Sequence, residues 1–428
     1  MILRRQWLVA LLLVAATACI EIKDDDAKKK QSAPDTTHAS VLSVDNDSFA
    51  ISTPSWDTAY TDTAGIGAQY AEYMTPASDS SFKHITPAAV GAKPTRFPVS
   101  VFTRGATALQ LEILLDRAGF SPGIIDATWG DNAAKAMRWF SGAAASDTTR
   151  PSAAMDSARG TATVAAHLDR ATYNRLAAAA GNGPMIAKYT VTADDVKGPF
   201  TNIPARVYDQ AKLACLCYSS AAEKLAEKFH TTWQVLAQLN PGVTLESIAA
   251  GTTIAVPNVG ATSPATMTAG ASSQQTDSGA GTTGDSTYSS QPGFRIVISK
   301  REFWTHLVDG SGKILRHFPS TLGAGYDPSP TGEFHVTSIS QNPAFRYDPK
   351  LFAEVPDTRP TAKLPPGPNS PVGVVWIALS KAHYGIHGTA SPETIGYASS
   401  HGCVRLTNWD ATALADLVKA GTPVSFQN

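Results

Sequence analysis

Two short apolar segments near the C-terminus carry the residues best suited to chemistry, Tyr384-Gly385-Ile386-His387-Gly388-Thr389 and Ser399-Ser400-His401-Gly402-Cys403-Val404-Arg405-Leu406. A polar loop, Ala390 to Ser399, separates them. A free thiol has a pKa near about 8.5, so it is a weak nucleophile at neutral pH until a base takes its proton. A neighbouring imidazole does that and holds the thiolate as an ion pair. Both His387 and His401 are candidates for that base, and His401, two residues from Cys403, shares its face in an extended chain. Gly402 has no Cβ, so it permits a strained turn and lets a substrate carbonyl approach the backbone. Backbone N–H groups beside Cys403 are then placed to stabilise an oxyanion, and Ser400 is placed for a local hydrogen bond. Arg405 suits either a substrate carboxylate or a bidentate anchor for its own loop. Tyr384 is a substrate-binding candidate, with packing as its other reading. The set points to acyl transfer through a thioester.

His387-Gly388-Thr389 followed by Ser400-His401-Gly402-Cys403-Val404-Arg405-Leu406 resembles the signature of the L,D-transpeptidase (YkuD-like) catalytic family. The resemblance extends upstream through Arg295-Ile296-Val297-Ile298-Ser299, Pro330-Thr331-Gly332 and the run from Pro365 to Gly373, so it covers residues 291–428. It implies a mostly-β sandwich with Cys403 as nucleophile and His387 rather than His401 as base. The carbonyl of Gly388 then fixes the His387 tautomer, while His401, Gly402 and Ser400 support the pocket. The implied reaction attacks the third residue of a peptidoglycan stem tetrapeptide, releases D-alanine, and passes the acyl group to an amine of a second stem, making a 3–3 cross-link. No cofactor is implied, and the family pattern weighs against a metal held by His383, His387 and His401. Two readings compete. The same thioester given to water makes an L,D-carboxypeptidase, and given to a protein lysine it attaches protein to peptidoglycan. A non-catalytic cell-wall adaptor is the reading from another class.

Elements that would position these residues are legible upstream and downstream. Alternating runs at Arg295–Ser299, Glu302–Val308, Ile314–Phe318, Phe334–Ile339 and Val374–Leu379 predict strands, with a hairpin turn at Asp309-Gly310-Ser311-Gly312. A helix is expected from Asn408, as cap, through Ala420, stopped by Gly421. Residues 261–291 are almost entirely Gly, Ser, Thr, Ala and Gln, a flexible linker that would let the catalytic domain range on the order of 30 Å.

Residues 188–260 resemble a lysin-motif (LysM) module: helices capped by Ser220 and Thr231 or Thr232, Asn240-Pro241-Gly242, then a strand at Gly251–Pro257. Residues 97–187 resemble a small helical peptidoglycan-binding domain, with Asp126-Ala127 where relatives commonly have Asp-Gly. These resemblances imply glycan strands and stem peptides as partners.

At 428 residues the chain is long enough for several domains, and a net charge of −1 gives no electrostatic case for nucleic acid. Arg4 and Arg5 precede a short apolar run, Trp7 to Ala16, which predicts a signal peptide over 1–18. Ala16-Thr17-Ala18-Cys19 resembles a lipoprotein cleavage site, so Cys19 is the expected lipidation site and the expected location is the periplasm or cell envelope, the outer membrane if there is one. Residues 19–96 are polar and expected to be a tether, and a monomer is expected. Cys215 and Cys217 are expected as buried thiols rather than a disulfide.

Overall fold

In a computed structural model, residues 85–95, 97, 104–142, 168–181, 183–259, 293–325, 327–351 and 358–428 are described. The signal segment, Cys19, most of the expected tether and the expected linker lie outside them.

The described chain starts inside the stretch expected as tether. Helix α1 (Pro87–Gly91) has Pro87 at its first position, where a missing N–H costs nothing, and Thr86 Oγ1 accepts from Ala89 N at 3.2 Å. Ile85 and Val90 are buried, and Gln110 Nε2 donates to Val90 O (2.6 Å) and Ala92 O (2.9 Å). Two apolar residues in a polar background are enough to seat this segment, so the tether ends earlier than composition indicates.

Three helices follow, α2 (Ala106–Arg117), α3 (Asp131–Ser141) and α4 (Arg170–Ala179). Helix α2 is buried on two sides. Leu111, Leu114 and Leu115 pack with Met137 of α3 and Leu176 of α4, whereas Leu109 and Ile113 join the apolar cluster of the next module. That module consists of β1 (Ile186–Thr190), α5 (Val207–Gln210), α6 (Ala221–Lys228), α7 (Trp233–Leu239) and β2 (Thr253–Pro257). Strands β1 and β2 pair antiparallel. Ser220 and Thr232 cap α6 and α7 through their hydroxyls. Asn240 ties α7 to β2, since its Nδ2 donates to Leu236 O and Ala255 O and its Oδ1 accepts from Ala255 N. Ala127 takes a left-handed conformation (φ 62°), the conformation that a glycine would occupy at lower cost.

Cys215 and Cys217 form a disulfide, contrary to the expectation of free thiols. Their Cα atoms are 5.2 Å apart, within the span that a disulfide bridges.

The C-terminal region holds β3 (Arg295–Ser299), β4 (Trp304–Val308), β5 (Ile314–Pro319), β6 (Gly332–Gln341), β7 (Phe345–Tyr347), β8 (Ala362–Leu364), β9 (Val375–Leu379), β10 (Gly385–His387), β11 (Val404–Arg405), α8 (Asn408–Ala415) and β12 (Pro423–Gln427). Eight strands form one sheet in the order β11-β10-β9-β6-β12-β3-β4-β5, and β7 pairs with β8 as a separate hairpin. The chain just past β5 joins the opposite edge: Thr321 and Arg405 exchange both backbone hydrogen bonds, at 3.0 and 2.9 Å. A curled sheet whose edges meet thus replaces the expected sandwich. Alternating apolar residues announce an inner face, but not whether that face belongs to one sheet or two. Ile296, Ile298, Leu307, Val336, Ile377, Ile386 and Val404 fill the interior with Leu414 of α8. Helix α8 is capped by the Thr407 hydroxyl, which accepts from Asp410 N at 3.1 Å, and not by Asn408, whose side chain is engaged elsewhere.

The upstream modules dock on this region rather than ranging from it. Ser121 Oγ donates to Asp410 Oδ2 (2.9 Å), Asn132 Nδ2 to Ile395 O (2.7 Å), and Arg138 pairs with Glu302 (2.6 Å). Linker length limits reach but does not produce it when buried polar contacts hold the bodies together.

The two-sided burial of α2 has a measurable consequence. Ile113→Ala and Leu114→Ala, which empty different clusters, are each expected to lower stability by about 2–5 kcal/mol in denaturant titrations. Both should move a single shared transition of the helical and α/β regions; two independent transitions would contradict a shared helix.

Candidate active site

Strand pairing assembles the site. Parallel β10 and β11 place His387 opposite Arg405, and antiparallel β9 places Trp376 opposite His387 on its other side. Cys403 immediately precedes β11, two residues before Arg405, so Cys403, Arg405, His387 and Trp376 share the face opposite the sheet interior. The Trp376 ring stacks on His387 with centroids 5.3 Å apart and planes 17° apart. Gly385 makes room for it, since a Cβ there would stand 2.5 Å from Trp376 Cζ2.

His387 is fully buried, and its Nδ1 lies 2.7 Å from the carbonyl oxygen of Gly388. A carbonyl only accepts, so Nδ1 is the donor and carries the proton. Nε2, buried and without a hydrogen-bond partner among the described residues, is left with a lone pair. Burial, assisted by the nearby Arg405 charge, depresses the imidazole to about 3. Burial pushes the Cys403 thiol up to about 12, against the opposing pull of the Gly385 backbone N–H and Arg405. Cys403 Sγ contacts His383 O at 3.6 Å. In this conformation the two groups are therefore a neutral thiol and a neutral imidazole, not the ion pair that their residue types suggest.

The remaining sequence-predicted residues surround this pair. Gly402 has φ +97°, and a Cβ on it would lie 2.7 Å from Tyr384 Cε1, so both conformation and space require glycine. Tyr384 is buried over that turn, and burial, with the negative charge of Asp327 nearby, raises its hydroxyl to about 12. Ser400 Oγ donates to Cys403 O at 2.6 Å, and the Ser400 backbone pairs with Leu322 and Ala324. His401 and Arg405 are buried. Among the described residues no group of three or more His, Cys, Asp or Glu side chains is arranged to hold a metal ion.

Three residues at the site were not singled out for it by their sequence context. Ser329 accepts from Gly323 N (2.9 Å) and donates to Gly402 O (2.8 Å), fixing the turn before the thiol. Asp327 acts on both Cys403 and Tyr384. Asn408 is the most connected of the three. Its Oδ1 accepts from Thr389 N (3.1 Å) and Val374 N (3.2 Å), and its Nδ2 donates to Glu227 Oε2 (3.0 Å) and Pro368 O (3.1 Å). It therefore holds the turn that presents the Gly388 carbonyl, and it reaches into the α/β module. A Cβ on Gly373 or Gly388 would come within 1.9 or 2.2 Å of Asn408 Oδ1. The two glycines leave space for that one amide.

Known proteins match this region. The family model of the L,D-transpeptidase catalytic domain (YkuD) matches residues 293–425. "Putative L,D-transpeptidase YkuD" of Bacillus licheniformis is 30% identical over 204 residues, spanning 48% of this chain and 92% of that protein. This chain belongs to the L,D-transpeptidase family. The Bacillus subtilis protein of the same name is 33% identical over 116 residues, which cover 27% of this chain and 56% of the relative. A solved L,D-transpeptidase from Mycobacterium smegmatis aligns over 32% of this chain and 58% of its own at 24% identity, with a TM-score of 0.27. The family match thus falls on the curled sheet and on both segments that carry His387 and Cys403.

Two outcomes are expected from this geometry. Asn408→Ala strands the buried Thr389 N–H and the partly buried Val374 N–H and should cost about 2–4 kcal/mol by denaturant titration. The folded thiol value of about 12 lies above the unfolded one, so its stabilisation is complete below the unfolded pKa and is lost as pH rises towards the folded value. The stability of the parent relative to Cys403→Ala should accordingly fall above about pH 8.5, the pKa of an unfolded-chain thiol. A difference independent of pH would mean that the thiol is not buried as described.

Proposed function

We propose that this chain is a cysteine-dependent L,D-transpeptidase acting on peptidoglycan stem peptides, with Cys403 as nucleophile and His387 as general base and acid. The observation that carries the assignment is the 2.7 Å contact from His387 Nδ1 to Gly388 O, which leaves Nε2 as the only basic nitrogen of that ring. Nε2 takes the thiol proton as Sγ attacks the carbonyl carbon of the third stem residue. The tetrahedral oxyanion is met by backbone N–H groups of the Gly402–Cys403 turn. Collapse breaks the C–N bond, and the proton on Nε2 passes to the departing D-alanine amine, leaving a thioester. An amine of a second stem then attacks the thioester carbonyl, loses its proton to Nε2, and forms the 3–3 cross-link as the thiol is regenerated. Amide is exchanged for amide, so no external energy source is required.

His401, Ser400, Gly402 and Gly388 support this centre rather than perform it. Arg405, whose charge favours the thiolate, assists ionisation once the pair is hydrated, and Tyr384 walls the pocket. The upstream modules fit the reading as wall-binding parts: the helical region as a peptidoglycan-binding domain, and the β1-α6-α7-β2 order with Asn240-Pro241-Gly242 as a LysM-like module. A lipid on Cys19 would hold a monomeric enzyme at the envelope membrane, within reach of the wall.

Purified protein incubated with defined tetrapeptide muropeptides should yield cross-linked dimers and free D-alanine by mass spectrometry. Trimmed tripeptides alone would instead establish the carboxypeptidase. Cys403→Ala should abolish turnover, and His387→Ala should lower kcat/KM by about 10²–10⁴-fold. His401→Ala should cost less, and equal losses at the two histidines would reassign the base.

A further inference from the structure

The Asn408 side chain is saturated with hydrogen bonds. Its Oδ1 accepts from Thr389 N (3.1 Å) and Val374 N (3.2 Å), and its Nδ2 donates to Pro368 O (3.1 Å) and Glu227 Oε2 (3.0 Å). The amide has one workable orientation. Reversed, its NH2 would face two backbone donors and its oxygen would face a carbonyl and a carboxylate. Asn408 is fully buried, so these bonds are shielded from water.

Thr389 N and Gly388 O belong to the same peptide unit. That peptide accepts from His387 Nδ1 at 2.7 Å and donates to Asn408 at 3.1 Å. Followed outward from the imidazole, every bond therefore runs in one direction. Nδ1–H donates to Gly388 O, Thr389 N–H to Asn408 Oδ1, and Asn408 Nδ2–H to Glu227 Oε2. Hydrogen bonds in series polarise one another, by about 10–30% per bond. A series that ends on a carboxylate is drawn towards its charge, which makes Gly388 O the stronger acceptor. A carboxylate that elsewhere would touch the histidine is thus placed two amides away from it.

Glu227 is itself held in place. Tyr218 Oη donates to its Oε1 at 2.8 Å, so both carboxylate oxygens are engaged. It stands on α6, outside residues 293–425, the span matched by the family model. The ionisable groups acting on it are Tyr218 and Glu223, one turn earlier on α6. Glu223 accepts from Asn369 Nδ2 (2.9 Å), and its charge also acts on Glu393 of the catalytic region. The α6 lysines, Lys224 and Lys228, pair with Asp194 and Asp195, and Asp410 of α8 bonds to Ser121. Burial, with the Glu223 charge, raises Glu227 to about 7 against the hydrogen bonds from Asn408 and Tyr218.

We propose that Glu227 is a positioning residue for His387, its carboxylate acting through the Asn408 amide and the Gly388–Thr389 peptide to hold the Nδ1 proton and strengthen Nε2 as a proton acceptor. With the carboxylate charged, positive charge on the ring is favoured. With it protonated, the series ends on a neutral group and Nε2 weakens. That Nε2 serves a transpeptidase rests on the function proposed above; the link from Glu227 to the ring does not.

The test is proton and nitrogen NMR of the His387 ring in the full-length protein, through the neutral pH range. The His387 signals are assigned by their loss in His387→Gln. In the parent, the Nδ1–H resonance is expected to move downfield in one step as pH rises through about 7. Glu227→Gln keeps an oxygen for Asn408 Nδ2 but removes the charge, so it should stay at the low-pH position and lose the step. Glu223→Gln leaves Asn408 its carboxylate and should retain the step. Melting curves establish that each variant is folded. Resonances identical in the parent and Glu227→Gln at every pH, a step that survives in Glu227→Gln, or one lost in Glu223→Gln would each overturn the proposal. In turnover, Glu227→Gln should lower kcat by up to about tenfold above neutral pH, the equivalent of one pKa unit at Nε2, with KM unchanged. The difference should vanish below neutral pH, and a loss that is the same at every pH overturns the link. The NMR experiment requires no turnover. An inactive protein can therefore still show the step, and an active transpeptidase that lacks it refutes the link alone.

Discussion

One hydrogen bond, from the imidazole of His387 to the carbonyl of the next residue, organises the C-terminal region. It gives the ring a single tautomer without a carboxylate, so the orienting group is a piece of backbone whose own position has to be fixed. Asn408 fixes it, and the amide fits only because Gly373 and Gly388 have no side chains to obstruct it. The same amide reaches Glu227, whose carboxyl is raised to about 7 by burial. The geometry of the histidine turn is therefore shared between the catalytic sheet and a helix that lies far earlier in the chain.

Burial governs what that geometry does. Water would let the thiol and the imidazole exchange a proton readily, but the low-dielectric site disfavours both charged forms. The pair sits neutral beneath the apolar cluster, and the Arg405 charge, close to both, pulls the two groups towards thiolate and neutral imidazole.

Sequence reasoning reached the strands because their alternation is local: Arg295–Ser299, Ile314–Phe318 and Val374–Leu379 all sit within a residue or two of their observed ends. It reached the two site segments because their glycines, histidines and cysteine are concentrated in short stretches. It missed what depends on distant partners. Asn408 read as a helix cap, since a cap and a hub use the same amide, and only the neighbouring strands reveal which role it has. Cys215 and Cys217 read as thiols because a spacing of two residues does not specify the backbone path between them. Ile85 and Val90 were lost in a polar stretch, and Leu216 had no local pattern to mark it as part of the cluster around Cys403. The curl of the sheet was equally illegible, because the bonds that close it join Thr321 to Arg405 across the length of the domain.

Nitrogen NMR of the His387 imidazole tests the tautomer on which the rest of the account stands. With His387→Gln as the assignment control, the ring is expected to carry its proton on Nδ1 and an unprotonated Nε2 throughout the neutral and mildly acidic range, ionising only near about pH 3. A proton on Nε2, or a doubly protonated ring at neutral pH, would contradict the account.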